Sequence, residues 1–150
     1  MTSRRLLPAL MGLSLGLAQA AAARAETPAE TAAAFGLLGT WAVDCRLPPS
    51  LANGYLTYAA TPGGNIAHDR DFGSQRNLGE VVRASLTAGG IDLVVYFPVS
   101  AQSRQITIGK SGDGRMRTIA DSFINSNEYA IRDGKLLATG TEVPWHMRCR

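Results

Sequence analysis

The chain is poor in the residues from which reactive sites are built. Of its 150 residues two are cysteine, two are histidine and two are tryptophan, and 18% are charged. Two cysteines cannot supply a thiolate metal site, which needs more ligands at shorter spacing. His68 stands with Asp69 and Asp71, but on an extended strand it points away from both, so the three do not converge on a metal. No glycine-rich loop sits at a strand–helix junction to cradle a phosphate. Past the first 25 residues no serine occupies a nucleophile elbow. The body of the chain has no convincing amphipathic helix. No basic patch or stripe of the kind that binds nucleic acid is present. These absences argue against an enzyme, a metalloprotein and a nucleic-acid-binding protein. No catalytic residue, metal ligand or cofactor is assigned.

What is there begins with an export signal. Arg4 and Arg5 are followed by an apolar run, Leu6–Ala23, and Ala23-Arg24-Ala25 places small residues at −3 and −1 of a cleavage point. That layout predicts a secretory signal peptide over residues 1–25. The run is at the short end for a membrane-spanning helix, so no stable membrane insertion is expected after cleavage. The full chain has 15 Lys plus Arg and 12 Asp plus Glu. Arg4, Arg5 and Arg24 leave with the signal and no acid does, so the mature chain is formally neutral. Its destination is the periplasm or the exterior, where two cysteines are most simply a disulfide.

After the signal, residues 26–38 are rich in Ala, Thr and Glu and read as a flexible leader. Residues 39–150 form the domain. Short alternating segments follow one another, separated by turn residues: Tyr55–Ala60, Ile66–Phe72, Glu80–Leu86, Ile91–Phe97, Ser103–Lys110, Arg115–Asp121. A tight hairpin joins Glu128–Arg132 to Lys135–Thr139 across Asp133-Gly134, a dipeptide that tolerates the positive φ of a two-residue turn. This spacing predicts an all-β sandwich or barrel.

The two ends of the domain decide between them. Trp41, Val43 and Cys45 alternate on one stretch, and Trp145, Met147 and Cys149 on another. Each set shares one strand face. In this phase His146 and Arg148 face outward. Two terminal strands that each end an apolar face in a Cys are suited to lie side by side and be stapled. The expected fold is therefore a small antiparallel up-and-down β-barrel of about eight strands, closed by a Cys45–Cys149 disulfide between first and last strands. The staple would close a loop of roughly a hundred residues and contribute roughly 4–5 kcal/mol in the chain-entropy model. Trp41, Trp145 and Arg148 are assigned a structural role as barrel plug, since large aromatics dominate small cores.

The same phase marks an interior. If Ile66 and Phe72 face inward, so do His68 and Arg70; on Arg115–Asp121 the inward set is Met116, Thr118 and Ala120, and on Glu80–Leu86 it is Val82, Ala84 and Leu86. Small barrels either fill with side chains or hold one small ligand. Tyr58, His68, Arg70, Phe72, Met116 and Thr118 are the candidate pocket residues: apolar walls with a few orienting groups.

Gly39-x-Trp41 opening the first strand resembles the start of the lipocalins and their calycin relatives, the avidin-like and fatty-acid-binding barrels. The resemblance covers the end strands and the strand count. It implies that Trp41 plugs the closed end and that a basic residue, here Arg148, packs over it. It also implies a non-enzymatic binding protein for a small apolar or amphipathic ligand, expected as a monomer. The chain is also similar to the small exported barrel inhibitors of bacterial metalloproteases, which begin Gly-x-Trp and carry one disulfide. That similarity implies a protease partner engaged through the N-terminal segment.

Overall fold

The structure, a computed structural model, describes residues 24–149. The predicted signal peptide, but for Arg24 and Ala25, lies outside the described residues. One helix and ten strands make up the rest: α1 (Pro28–Phe35), β1 (Gly39–Ala42), β2 (Tyr55–Ala60), β3 (Ile66–Asp71), β4 (Arg76–Thr87), β5 (Gly90–Phe97), β6 (Gln102–Lys110), β7 (Met116–Phe123), β8 (Tyr129–Arg132), β9 (Lys135–Leu136) and β10 (Met147–Cys149). From β1 to β9 each strand pairs antiparallel with the next, and β10 lies on the far side of β1. The up-and-down order is thus as expected. The strand count is not: ten strands form where about eight were predicted, because the last third breaks into short pieces.

Closure is partial. On one side β10 pairs with β1, Thr40 opposite Cys149 and Ala42 opposite Met147. On the other side the residue before β10 meets β7 at a single pair. The Met116 amide donates to the His146 carbonyl at 2.9 Å and the His146 amide to that of Met116 at 2.8 Å. No strand ladder continues from there; β8 pairs with β7 at only two positions, across an irregularity, and β9 extends the sheet from β8. The sheet is a part-closed barrel. Among the described residues no helix is long and apolar enough to cross a membrane.

Cys45 and Cys149 are bonded, their Cα atoms 5.5 Å apart and 104 residues apart in sequence. Cys45 does not lie on the first strand as predicted. It sits in the turn that follows β1, so the staple ties that turn to the last strand. The last strand is also shorter and differently phased than its alternation suggests. Pro144 has no backbone N–H to extend a ladder, and regular pairing starts only near His146. His146 is therefore turned in and 6% exposed, while Met147, expected inside, is 44% exposed.

Residues 26–38 are not a loose leader. Thr27 and Glu30 form a reciprocal capping box: the Glu30 amide donates to Thr27 Oγ1 at 3.2 Å, and the Thr27 amide to Glu30 Oε2 at 2.8 Å. Pro28 has its fixed φ in the first turn. Gly36 ends the helix at φ 79°, a left-handed conformation glycine adopts without strain. The helix docks on the sheet end made by the β2–β3, β4–β5 and β6–β7 turns. The Ala29 amide donates to the Gly64 carbonyl at 2.9 Å, and Lys110 Nζ to the Phe35 carbonyl at 2.5 Å. Ala32 and Leu37 are fully buried beneath it.

Two β-bulges reset which side chains enter the core. The first falls between Val81 and Arg83. Val81 is buried and Val82, expected inside, is 45% exposed; past the bulge Ala84 packs against the core as expected, while Leu86, in the same phase but near the strand's end, is exposed. The second lies on the β6–β7 pair, at Thr107–Ile108. It places Asp121, not Ala120, in line with Ile106.

Candidate functional site

The two ends of the sheet are built differently. At the helix end Leu37, Ile66, Ile91, Ile108 and Met116 are buried and apolar. Trp41 joins them, 2% exposed, its Nε1 donating to the Leu37 carbonyl at 2.8 Å. Arg148 reaches over it from outside. Its Nη2 donates to the Leu38 carbonyl at 2.7 Å, and its guanidinium carbon stands 5.9 Å from the Trp41 ring centre. Gly39 makes room for that side chain: a Cβ there would stand 3.1 Å from Arg148 Nε, at a φ of 130° that L residues rarely adopt. Trp145 is not part of this plug. It lies half-buried against Arg117, whose guanidinium carbon is 4.6 Å from its ring centre.

The opposite end carries polar groups inward. Tyr58 on β2 and His68 on β3 are cross-strand partners. Their rings stack with centroids 4.3 Å apart and planes 14° from parallel. Both are almost wholly buried. Burial pushes the Tyr58 phenol above its ordinary value. Burial, helped by the nearby Arg70 charge, pushes the His68 imidazole down to about 3. At neutral pH the stack is therefore two uncharged rings.

Arg70 on β3 and Phe72, just past its end, occupy the next inward positions. The Arg70 guanidinium carbon lies 4.8 Å from the Phe97 ring centre. Across the interior, β6 presents Arg104 and β7 presents Asp121. Arg104 Nε is 2.7 Å from Asp121 Oδ1, with side-chain exposures of 13% and 6%. The contact pairs the charges but is out of line for a hydrogen bond, so both atoms remain without a hydrogen-bond partner. The Arg104 guanidinium carbon stands 4.4 Å from the Phe123 ring centre. Burial raises the Asp121 carboxyl above its usual range, against the opposing pull of Arg104 and then Arg70.

These groups enclose two cavities that share Arg70. The first has a volume of about 180 Å³ and is lined by Leu56, Tyr58, His68, Arg70, Phe72 and Thr118, with Ile106, Asp121, Ile131 and His146 around them. The second, about 220 Å³, lies between Arg70, Arg104, Asn77, Ser100 and Gln102. Five of the six residues singled out from sequence thus meet at one cavity. Met116, the sixth, is 1% exposed and packs into the apolar core instead.

Sequence reasoning missed Arg104, Asp121 and His146. Arg104 had a signal, since it shares the period-two phase of Ile106 and Ile108. Asp121 had none, because a bulge on the β6–β7 pair turned it inward. His146 was placed on the solvent side by an alternation that the bridge to Met116 breaks. Asp69, by contrast, projects outward to Arg76, whose Nε donates to Asp69 Oδ1 at 2.9 Å. Among the described residues no group of three or more His, Cys, Asp or Glu side chains is placed to hold a metal ion.

No family model, no curated protein and no solved structure matches this chain.

Proposed function

We propose that the chain is an exported, non-enzymatic binding protein that takes a small amphipathic ligand into the cavity beside the Tyr58–His68 stack. The observation that carries this reading is the cavity itself. It is concave, walled mostly by apolar side chains, and furnished with a few convergent polar groups, the pattern of small-molecule sites. Its volume of about 180 Å³ is near that of the roughly 150 Å³ engineered cavity that admits benzene. The occupant is therefore a molecule with a body of about benzene size, not a long-chain lipid. Export is supported by the signal layout of residues 1–25 and by the Cys45–Cys149 bond, which persists in oxidising compartments.

The alternative, a protease inhibitor acting through the N-terminal segment, has less to stand on. Thr31, Ala32 and Leu37 of that segment are spent in the core, and withdrawing them would open the helix end.

The test is native mass spectrometry of the mature protein purified from the cell envelope, followed by NMR titration of the purified protein with toluene and indole. The expected result is an adduct lost on denaturation, or amide shifts confined to Leu56, Ile106, Ile131 and their neighbours on addition of a probe. A bare protein whose amides do not move at millimolar probe would overturn the reading.

A further inference from the structure

We propose that the ligand is a small carboxylate, its apolar body in the first cavity and its carboxylate held between Arg70 and Arg104 at the boundary with the second. This inference rests on the binding reading above and assigns the ligand its chemistry.

Three observations carry it. The first is unmet hydrogen-bonding capacity. Arg70 Nε and Arg104 Nη2 are shielded from solvent and have no hydrogen-bond acceptor within the protein, and Arg104 Nε meets Asp121 Oδ1 only out of line. Buried N–H groups are almost never left so; a ligand or a water oxygen meets them. The second is charge. Two guanidinium groups face one carboxylate, Asp121. The other groups lining the two cavities, Tyr58, His68, Asn77, Ser100, Gln102 and Thr118 among them, bring no second negative charge. His68 is neutral at physiological pH. The cluster therefore carries one uncompensated positive charge in a poorly solvated interior, where an unpaired charge is costly. Water meets the N–H groups but does not balance that charge; a monoanion does both.

The third observation is geometric. Each guanidinium has an aromatic ring against it, Arg70 at Phe97 and Arg104 at Phe123. Such contacts hold the plane in place. A guanidinium donates in its own plane, in a fork that matches a carboxylate. Because Arg70 lines both cavities, an anionic end bound there leaves the attached body in the apolar one. A dianion such as phosphate overcompensates the single charge, and its tetrahedral head has no apolar part to fill the first cavity.

Benzoate, benzamide, toluene and inorganic phosphate are the probes, titrated into the mature full-length protein by NMR and calorimetry. Charge-assisted hydrogen bonds are worth more than neutral ones, so benzoate is expected to bind roughly tenfold or more tighter than isosteric benzamide, a step of about 1.4 kcal/mol. Arg104→Gln should erase that preference and leave toluene binding in place. Asp121→Asn removes the competing carboxylate and should tighten benzoate. Equal affinities for benzoate and benzamide in the wild type overturn the assignment while leaving the cavity reading intact. Phosphate binding as tightly as benzoate overturns the carboxylate. Failure of all four probes overturns both this inference and the binding reading. The wild-type comparison stands alone even if a variant does not fold.

Discussion

The helix end and the loop end of this sheet solve opposite problems. At the helix end the core is apolar, and the polar atoms that reach it have partners: Trp41 Nε1 on the Leu37 carbonyl, Arg148 on that of Leu38, Lys110 on that of Phe35. Among the described residues, no buried side-chain N or O atom that lacks a hydrogen bond belongs to α1 or β1. At the loop end Arg70, Arg104 and Asp121 are buried with atoms unmatched. One end is finished as a core; the other is a core with its polar groups waiting. Unsatisfied buried groups cost stability, and natural chains break the rules of good packing mainly where a site requires it. On the proposed reading, the contrast assigns binding to the loop end and stability to the helix end. Four experiments break or sharpen that division.

The largest effect belongs to the staple, which ties the turn after β1, on the loop side, back to the strand that closes the sheet. Cys45→Ser should lower stability by roughly 4–5 kcal/mol in the chain-entropy model, read by urea denaturation. Hydrogen exchange in residues 43–54 should quicken as that loop is released. An unchanged denaturation midpoint, with a free thiol in the wild type, would remove the staple from the account.

Next is Trp41→Ala at the helix end. It deletes a buried ring and leaves the Leu37 carbonyl without its donor, at a cost of roughly 3–4 kcal/mol. Affinity for a cavity ligand should hardly change once folding is accounted for. If the variant instead loses binding with little loss of stability, the two ends are not separable and the division fails.

How much of this was legible follows from where the strands run regularly. Along β3, with no bulge, and one residue beyond it, the alternation Ile66, His68, Arg70, Phe72 faces inward together, as period two requires. The Asp133-Gly134 hairpin and the cysteine pair were readable for equally local reasons. Each failure has a local cause too. An extra residue on one strand of a pair flips the phase of all that follow. That exchanged Val81 for Val82 and Asp121 for Ala120, with no mark in the sequence at either place. The helix was in the sequence: Thr27, Pro28, Glu30 and Gly36 form a capped eight-residue unit. Its Ala-rich middle has no apolar stripe for a periodicity argument to catch, and tertiary docking, not pattern, decides that it forms. Arg104 lay in phase with Ile106 and Ile108. Nothing in one strand, however, indicates that a charged residue in phase will be buried until its partner across the interior is known.

The third experiment uses pH. His68 has an ordinary value of 6.5 and about 3 when folded. A His held neutral by the fold contributes stability that is full above 6.5 and is lost as pH falls from there toward 3, since only the unfolded chain takes up the proton. At pH 5 that loss is about 2 kcal/mol. His146, pushed down by burial, acts in the same direction. Asp121, pushed up, acts in the opposite one, its folded form gaining relative stability as it protonates. The clean readout is the difference between wild type and His68→Phe, which keeps a ring against Tyr58. The variant's advantage should grow by about 2 kcal/mol between pH 7.5 and pH 5. A difference that stays flat with pH would mean that the imidazole titrates freely and is not sealed in.

The smallest expected change in stability is the most informative about the loop end. Replacing a buried ion pair by apolar groups of similar size is often neutral or stabilising, because the desolvation of both charges is relieved at once. The double variant Arg104→Met with Asp121→Leu removes one charge of each sign and leaves Arg70 alone beside the cavity. Its stability should stand within about 1 kcal/mol of wild type, or above it, while the preference for benzoate over benzamide narrows without vanishing, since Arg70 still offers one guanidinium where two clasped the carboxylate. If the pair were structural, the double variant would fall by as much as Trp41→Ala does, and the loop end would be one more part of the core. A protein that keeps its fold without Arg104 and Asp121, yet separates an anion from its neutral isostere less sharply, has no folding reason to bury them. Recognition is then the reason left.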